Sequence, residues 1–89
     1  MKAIISVLGS DRPGIIAGVS AKLYEHNINI LDISQTILQN YFTMVMLVDL
    51  SGMKTSYKEM TDVLNQTAEA IGVEIRMQRS EIFDAMHRA

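Results

Sequence analysis

An α+β sandwich, with a four-stranded antiparallel sheet carrying two helices on one face, is the fold this sequence predicts, and three observations predict it. Apolar residues recur at three- and four-residue spacing over 15–24 and again over 57–71, the period of a helix with one buried face. Four other segments, 2–8, 28–38, 41–50 and 73–79, are rich in aliphatic and β-branched residues without that period, and one of them alternates strictly. The order of the six is strand, helix, strand, strand, helix, strand. That order builds the split βαβ or ferredoxin-like arrangement with the first and third strands central.

Each element has its own justification. Strand one, "KAIISVL", stops at Gly9. In helix one the stripe is Ile15, Ile16, Val19, Leu23 and Tyr24, with Lys22, Glu25 and His26 off it. Pro13 stands just ahead, where a missing N–H costs nothing and a fixed φ helps the first turn, and Asp11 is a candidate cap or charge complement at the same end. "INILDISQTIL" is extended, and the polar break Gln39-Asn40 turns it into "YFTMVMLVDL" as a hairpin. That last strand is apolar on both parities, Val45 and Leu47 one way and Phe42, Met44, Met46 and Val48 the other, as befits the middle of a sheet. Residues 51–56 form a loop. Helix two carries Tyr57, Met60, Leu64, Ala68 and Ile71, and Gly72 closes it as a left-handed cap. "VEIRMQR" sends Val73, Ile75 and Met77 one way and Glu74, Arg76 and Gln78 the other, an edge strand with one wet face. Residues 1–79 thus make one domain. Residues 80–89 are an amphipathic tail, a short C-terminal helix with Ser80 as its cap and Ile82, Phe83 and Met86 at helical spacing.

Composition narrows the function. With 89 residues there is room for one domain, so a large cleft would have to be shared with a second chain. Apolar residues at 48% against 20% charged mark a chain that folds. Eight basic and ten acidic side chains give a net charge of −2, with no Lys/Arg stripe, which argues against nucleic acid as a direct partner. The absence of cysteine removes disulfides, thiolate nucleophiles and Cys-based metal sites, and fits a reducing interior. Apolar runs fall far short of the roughly 20 residues of a membrane span, and the N-terminal stretch lacks a signal peptide's cationic start, so the expected location is the cytoplasm, away from membranes. His26 and His87 are far apart in sequence, so no metal site is expected and no cofactor is implied. The seven methionines read as soft core and interface filling. Because both helices cover one face, Ile4 and Leu8 together with Met44, Met46 and Val48 are expected to leave an apolar surface on the other. Either the tail covers it or a second chain does, and a homodimer is the expectation.

The chain's one proline and three of its five glycines fall within "GSDRPGIIAG", residues 9–18. A strand-to-helix turn favours these residues for its own reasons: Gly9 for the reversal, Gly14 and Gly18 for close packing of the helix on the sheet. The same turn leaves unpaired N–H groups at a helix start, suited to a carboxylate or phosphate, and Gly14 has no Cβ to keep a ligand away. The ending of a nucleotide-hydrolase phosphate loop is absent, and a dinucleotide fingerprint fails in spacing and in setting. Asp32, Ser34 and Gln35 on strand two are polar enough to line a dimer groove, or simply to be solvated on an edge.

The stretch "DRPGIIAGVSAKLYEHNINILDISQ", residues 11–35, resembles the opening of an ACT domain, a small regulatory module that often binds amino acids. The likeness extends over essentially the whole chain, and "DISQT…YFTM" is similar to the short free-standing ACT proteins of bacteria and archaea, a group related to the glycine-cleavage repressor. The resemblance implies an amino acid held at the interface of two domains by the loop before helix one and by an Asn at the start of strand two. Asp11, Pro13, Gly14 and Ile15 occupy that loop and Asn29 matches the Asn. On this pattern the amides after Gly14 take the ligand carboxylate, and Asn29 with the Asp11 carboxylate takes its α-ammonium. Serine-binding relatives carry His where Gly9 stands and Asn where Asp11 stands, so the serine contact set is incomplete here. Two other readings compete with this non-catalytic regulatory one. An acylphosphatase-like enzyme shares the size and strand order, but Ile15-Ile16-Ala17-Gly18 offers no phosphate-clamping Arg, and Arg12, ahead of the proline, is expected to face solvent or a partner. An adapter would dock on another protein through its apolar sheet face and the tail, with no small ligand.

Overall fold

The computed structural model describes residues 1–80. Six elements run in the expected order: β1 (Lys2–Ser10), α1 (Ile15–Glu25), β2 (Asn29–Leu38), β3 (Tyr41–Asp49), α2 (Tyr57–Ile71) and β4 (Val73–Arg79). The strands form a single sheet in the order β2-β3-β1-β4, and every neighbouring pair is antiparallel. The fold is therefore the predicted α+β ferredoxin-like sandwich, with β1 and β3 in the middle. The expected tail helix, with Ile82, Phe83 and Met86, lies outside the described residues.

One parity of each central strand carries the core. Ala3, Ile5 and Val7 of β1 stand opposite Val48, Met46 and Met44 of β3, and all six are buried. Onto that layer pack Ile15, Val19 and Leu23 of α1 and Met60, Leu64 and Ala68 of α2, each set at the three- and four-residue spacing of one helix face. Fully burying a side chain of this size contributes about 1.5–3 kcal/mol. Ile16 and Tyr24, expected in the α1 stripe, instead face outward, Tyr24 with 85% of its surface exposed. Ser56 caps α2 by accepting the Glu59 N–H at 3.1 Å, and Gly72 ends it at φ 83° with its N–H on the Ala68 carbonyl.

The other sheet face differs from expectation. Met44, Met46 and Val48 belong to the core, and the residues sharing the open face with Ile4 and Leu8 are Val45 and Leu47. The pairing Ile4↔Leu47 shows why: alternation within a strand is visible in sequence, but the phase between two strands is set by their register. The larger exposed apolar residues gather elsewhere, on edge strand β2, where Leu31, Ile33, Ile37 and Leu38 are each 43–70% exposed. A bulge interrupts that strand, since Ile30 pairs with Val48 and Asp32 with Leu47, leaving Leu31 as the extra residue.

The glycines also act differently from the sequence reading. Gly9 does not reverse the chain; it sits inside β1, opposite Val73 of β4, and a Cβ there would come within 2.7 Å of Val73 Cγ1 and 3.2 Å of Val73 Cα. Gly18 receives the Ile71 side chain of α2 rather than the sheet. Gly9→Ala is therefore expected to lower stability by about 1–3 kcal/mol through overpacking. In a Val73→Ala background the same change should cost less, so that a denaturant double-mutant cycle shows non-additive losses. Strictly additive losses would mean the two residues do not meet.

Candidate functional site

The loop from β1 to α1 is built without a side-chain cap. The Asp11 N–H donates to the Asn40 carbonyl at the hairpin tip, 2.7 Å away, which ties the end of β1 to the β2–β3 turn. Arg12 and Pro13 follow, both exposed. Gly14 then takes the left-handed conformation, φ 89° and ψ −2°, as the residue that opens α1. Its carbonyl accepts the Gly18 N–H at 2.9 Å, the first bond of the helix. The amides of Ile15, Ile16 and Ala17 precede that bond and have no acceptor inside the helix. Among the described residues no side chain caps them, and the first turn holds no acidic residue. Asp11, the expected cap, lies three residues before Gly14 and is engaged through its backbone instead. Ile15 is buried in the core, so it offers this site its N–H and not its side chain. A Cβ built on Gly14 would meet nothing within 4 Å, so the corner is open on that side.

Asn29 lies far from this corner. It opens β2 and stands opposite Asp49, which stands opposite Lys2, whereas the loop end of the sheet is the row Leu38, Tyr41, Ser10. Eight residues of strand separate the two rows, about 26 Å at the usual rise. Of the five residues singled out by sequence, Asp11, Pro13, Gly14 and Ile15 are thus brought together and Asn29 is not. Asn29 is exposed, at the rim of a 560 Å³ groove between α1 and the start of β2 that Ala17, Ser20, Tyr24 and Ile30 also line. The turn just before it is fixed by Asn27, at φ 58°, whose Nδ2–H donates to the Gly52 carbonyl at 2.9 Å.

Asp49 escaped the sequence reading. Its Oδ1 accepts both the Ser51 N–H at 2.9 Å and the Ser51 hydroxyl at 2.6 Å, and these two bonds hold the carboxyl below its ordinary titration range. The signal was available: Asp-x-Ser after a strand is a turn in which the carboxylate bonds the backbone two residues on. Being directly opposite in the ladder, Asn29 and Asp49 present their side chains on the same face. Asp32, Ser34 and Gln35 are all exposed on the unpaired edge, Asp32 accepting the next N–H, that of Ile33, at 2.9 Å. Arg12 is exposed as expected, but its guanidinium is laid against Gly72 at the end of α2.

The fold is a βαββαβ sandwich whose strand-to-helix corner is opened by a left-handed glycine, and comparison with known proteins identifies the family it belongs to. The profile of the ACT domain matches residues 2–78, and the chain belongs to that family. A UPF0237 protein of Clostridium acetobutylicum is 53% identical over 88 residues, covering 99% of each chain. Among solved structures, an ACT domain protein from Streptococcus pneumoniae superposes with a TM-score of 0.83 at 44% identity, over 98% of both chains. The regulatory subunit of aspartate kinase from Thermus thermophilus, in its ligand-free form, gives a TM-score of 0.67 at 28% identity over 86% of this chain and 50% of that one. A protein assigned as a glycine cleavage system transcriptional repressor gives 0.72 at 23% identity over 88% of this chain and 44% of that one, a likeness of fold alone. Among the described residues no group of three or more His, Asp or Glu could hold a metal ion, and no helix is long and apolar enough to cross a membrane.

Two measurements check this geometry. Gly14→Ala is expected to cost about 1–2 kcal/mol of stability although its methyl group meets no neighbour, because the cost is that of the left-handed backbone; an unchanged melting temperature would mean the corner relaxes. The Asp49 carboxyl, followed by NMR, is expected to titrate below its ordinary value of 3.8, and Ser51→Ala should move it back up. Since the folded-state value is the depressed one, whatever stability this group adds is present above its ordinary range and is lost as the pH falls through the lowered value.

Proposed function

We propose that the chain is a non-catalytic sensor that binds a small carboxylate-bearing ligand, an amino acid being the best fit, at the interface of a homodimer and passes that state to a partner. The observation that carries the reading is the uncapped start of α1, where three amides without acceptors face a corner that Gly14 leaves open. Membership of the ACT family, with a regulatory subunit among its structural neighbours, supports a regulatory role. No charged side chain follows Gly14 in the first turn, as Ile15-Ile16-Ala17-Gly18 are all uncharged, so a base or nucleophile for acyl phosphate hydrolysis is wanting.

The distance between the two halves of the site supports a dimer. One chain cannot close on one amino acid with groups at opposite ends of a sheet. Two chains can: β2 is an edge with exposed Leu31, Ile33 and Ile37. Pairing it antiparallel with its copy would bring the partner's start of β2 to the Leu38 end, beside Asn40 and the loop that Asn40 holds. An amino acid whose carboxylate sits on the amides after Gly14 of one protomer would then have the start of the other's β2, with its Asn29 amide, as the approaching group for its α-ammonium, a charge-assisted contact.

A thermal-melt screen against the twenty amino acids tests the reading. A true ligand at about 100 times its dissociation constant adds ~2.7 kcal/mol, which in a domain of this size is a rise of roughly 10 °C or more. Gly14→Val and Asn29→Ala should each abolish the shift, while no shift with any amino acid would favour an adapter that binds protein alone. Sedimentation at micromolar concentration should give a dimer, and Ile33→Asp should drive it to monomer and weaken the ligand shift with it. A wild-type monomer, or full ligand response from the monomeric variant, would remove the shared-site arrangement.

A further inference from the structure

The end of α2 lacks something that the loop before α1 supplies. Carbonyls at a helix C-terminus carry partial negative charge and favour a cation, yet the last turn of α2 holds no basic residue and does hold Glu69. The cation that arrives is Arg12, from a loop some sixty residues away in sequence. Its position is specific. A Cβ built on Gly72 would lie 3.1, 3.2 and 3.3 Å from Nη1, Nη2 and Cζ of Arg12, three nearly equal distances that describe a planar guanidinium lying face-on against the bare side of that glycine. A Cβ at Gly72 would already oblige the guanidinium to give way by a few tenths of an ångström, and a longer side chain would compete for its place. Among the described residues no carboxylate lies within ion-pair distance of Arg12 and no hydrogen bond holds its side chain, so among them the contact with Gly72 is what holds the guanidinium.

The neighbours of Arg12 make that anchorage consequential. Asp11 is pinned through its N–H to Asn40, and Pro13 has a fixed φ, so between the hairpin tie and Gly14 the chain has little freedom left except through Arg12. We propose that Arg12 is a positioning residue for the open corner at Gly14, its guanidinium stacked on Gly72 so that the end of α2 sets the direction in which the first amides of α1 point. This rests on the ligand-sensing reading for the corner's purpose, though not for the contact. It also makes the α2–β4 turn a place from which the corner can be disturbed without touching it.

Amide hydrogen exchange of the ligand-free protein, resolved by NMR, tests the proposal. Two amides flanking the corner are hydrogen-bonded and report on it, that of Asp11 in the loop and that of Gly18 in the first turn of α1; the Leu50 N–H, bonded to the Met1 carbonyl at the far end of the sheet, is the control. Arg12→Ala is expected to speed exchange at Asp11 and Gly18 by about two- to fivefold, the scale of a lost cation at a helix end, with Leu50 unchanged. Gly72→Asn, which tolerates the left-handed cap but puts a side chain where the guanidinium lies, should reproduce that local pattern. Unchanged exchange at both Asp11 and Gly18, or an equal rise at Leu50, would overturn the proposal whatever the amino-acid screen finds. A local rise together with a silent screen would leave Arg12 in its positioning role and remove the ligand-sensing reading instead.

Discussion

Everything near the N-terminal end of α1 depends on one backbone choice, the left-handed turn at Gly14. A side chain capping the helix from that position would satisfy the very amides that make the corner useful, and an ordinary right-handed residue would turn the chain elsewhere. Glycine solves both problems at the cost of conformational entropy, and the surrounding structure supplies the order that glycine lacks. The Asp11 amide is fixed to the hairpin tip, Pro13 limits the approach, and Ile15 is driven into the core immediately afterwards. The corner is thus rigid although its pivotal residue is the most flexible type available.

That arrangement has a topological price. In a β2-β3-β1-β4 sheet, the loop after β1 and the first residue of β2 lie at opposite ends, because α1 carries the chain back along the sheet before β2 begins. On the proposed function, a single copy therefore carries its two half-sites at opposite ends of the sheet. Small size reinforces the point, since so short a domain buries a modest fraction of its surface, and the described residues form only a sheet and one layer of helices. Association is the economical way to enclose a ligand, and it places binding and assembly under the same equilibrium: a ligand that contacts both protomers favours the dimer by as much as the dimer favours the ligand.

Much of this was legible in the sequence, for reasons that can be located. The spacing of Tyr57, Met60, Leu64, Ala68 and Ile71, with Gly72 after, specified α2 to the residue, because helix signals are local. The alternation of "VEIRMQR" gave the edge strand β4 and its wet face. What failed was what two distant segments decide together. Met44 and Ile4 both look available for an open face until pairing with Leu47 fixes the phase of β1 against β3. Gly9 looks like a turn residue until Val73, sixty-four positions later, is laid against it. Arg12 looks free until the end of α2 arrives, and Asn29 looks like a neighbour of Gly14 until the sheet order separates them. The local chemistry of the loop could be read one residue at a time, whereas its partners required the fold.

The bulge at Leu31 has one more effect. A plain, flat strand with as much exposed aliphatic surface as β2 would pair with any extended chain in several registers and could go on adding copies. With its extra residue, β2 keeps Ile30 and Ile33 on one side although they are three apart, so sliding it by one position against a neighbour mismatches side chains on both sides of the irregularity. The strand accepts one alignment far better than the others. An edge left sticky enough for a specific encounter is in this way made a poor seed for fibrous growth.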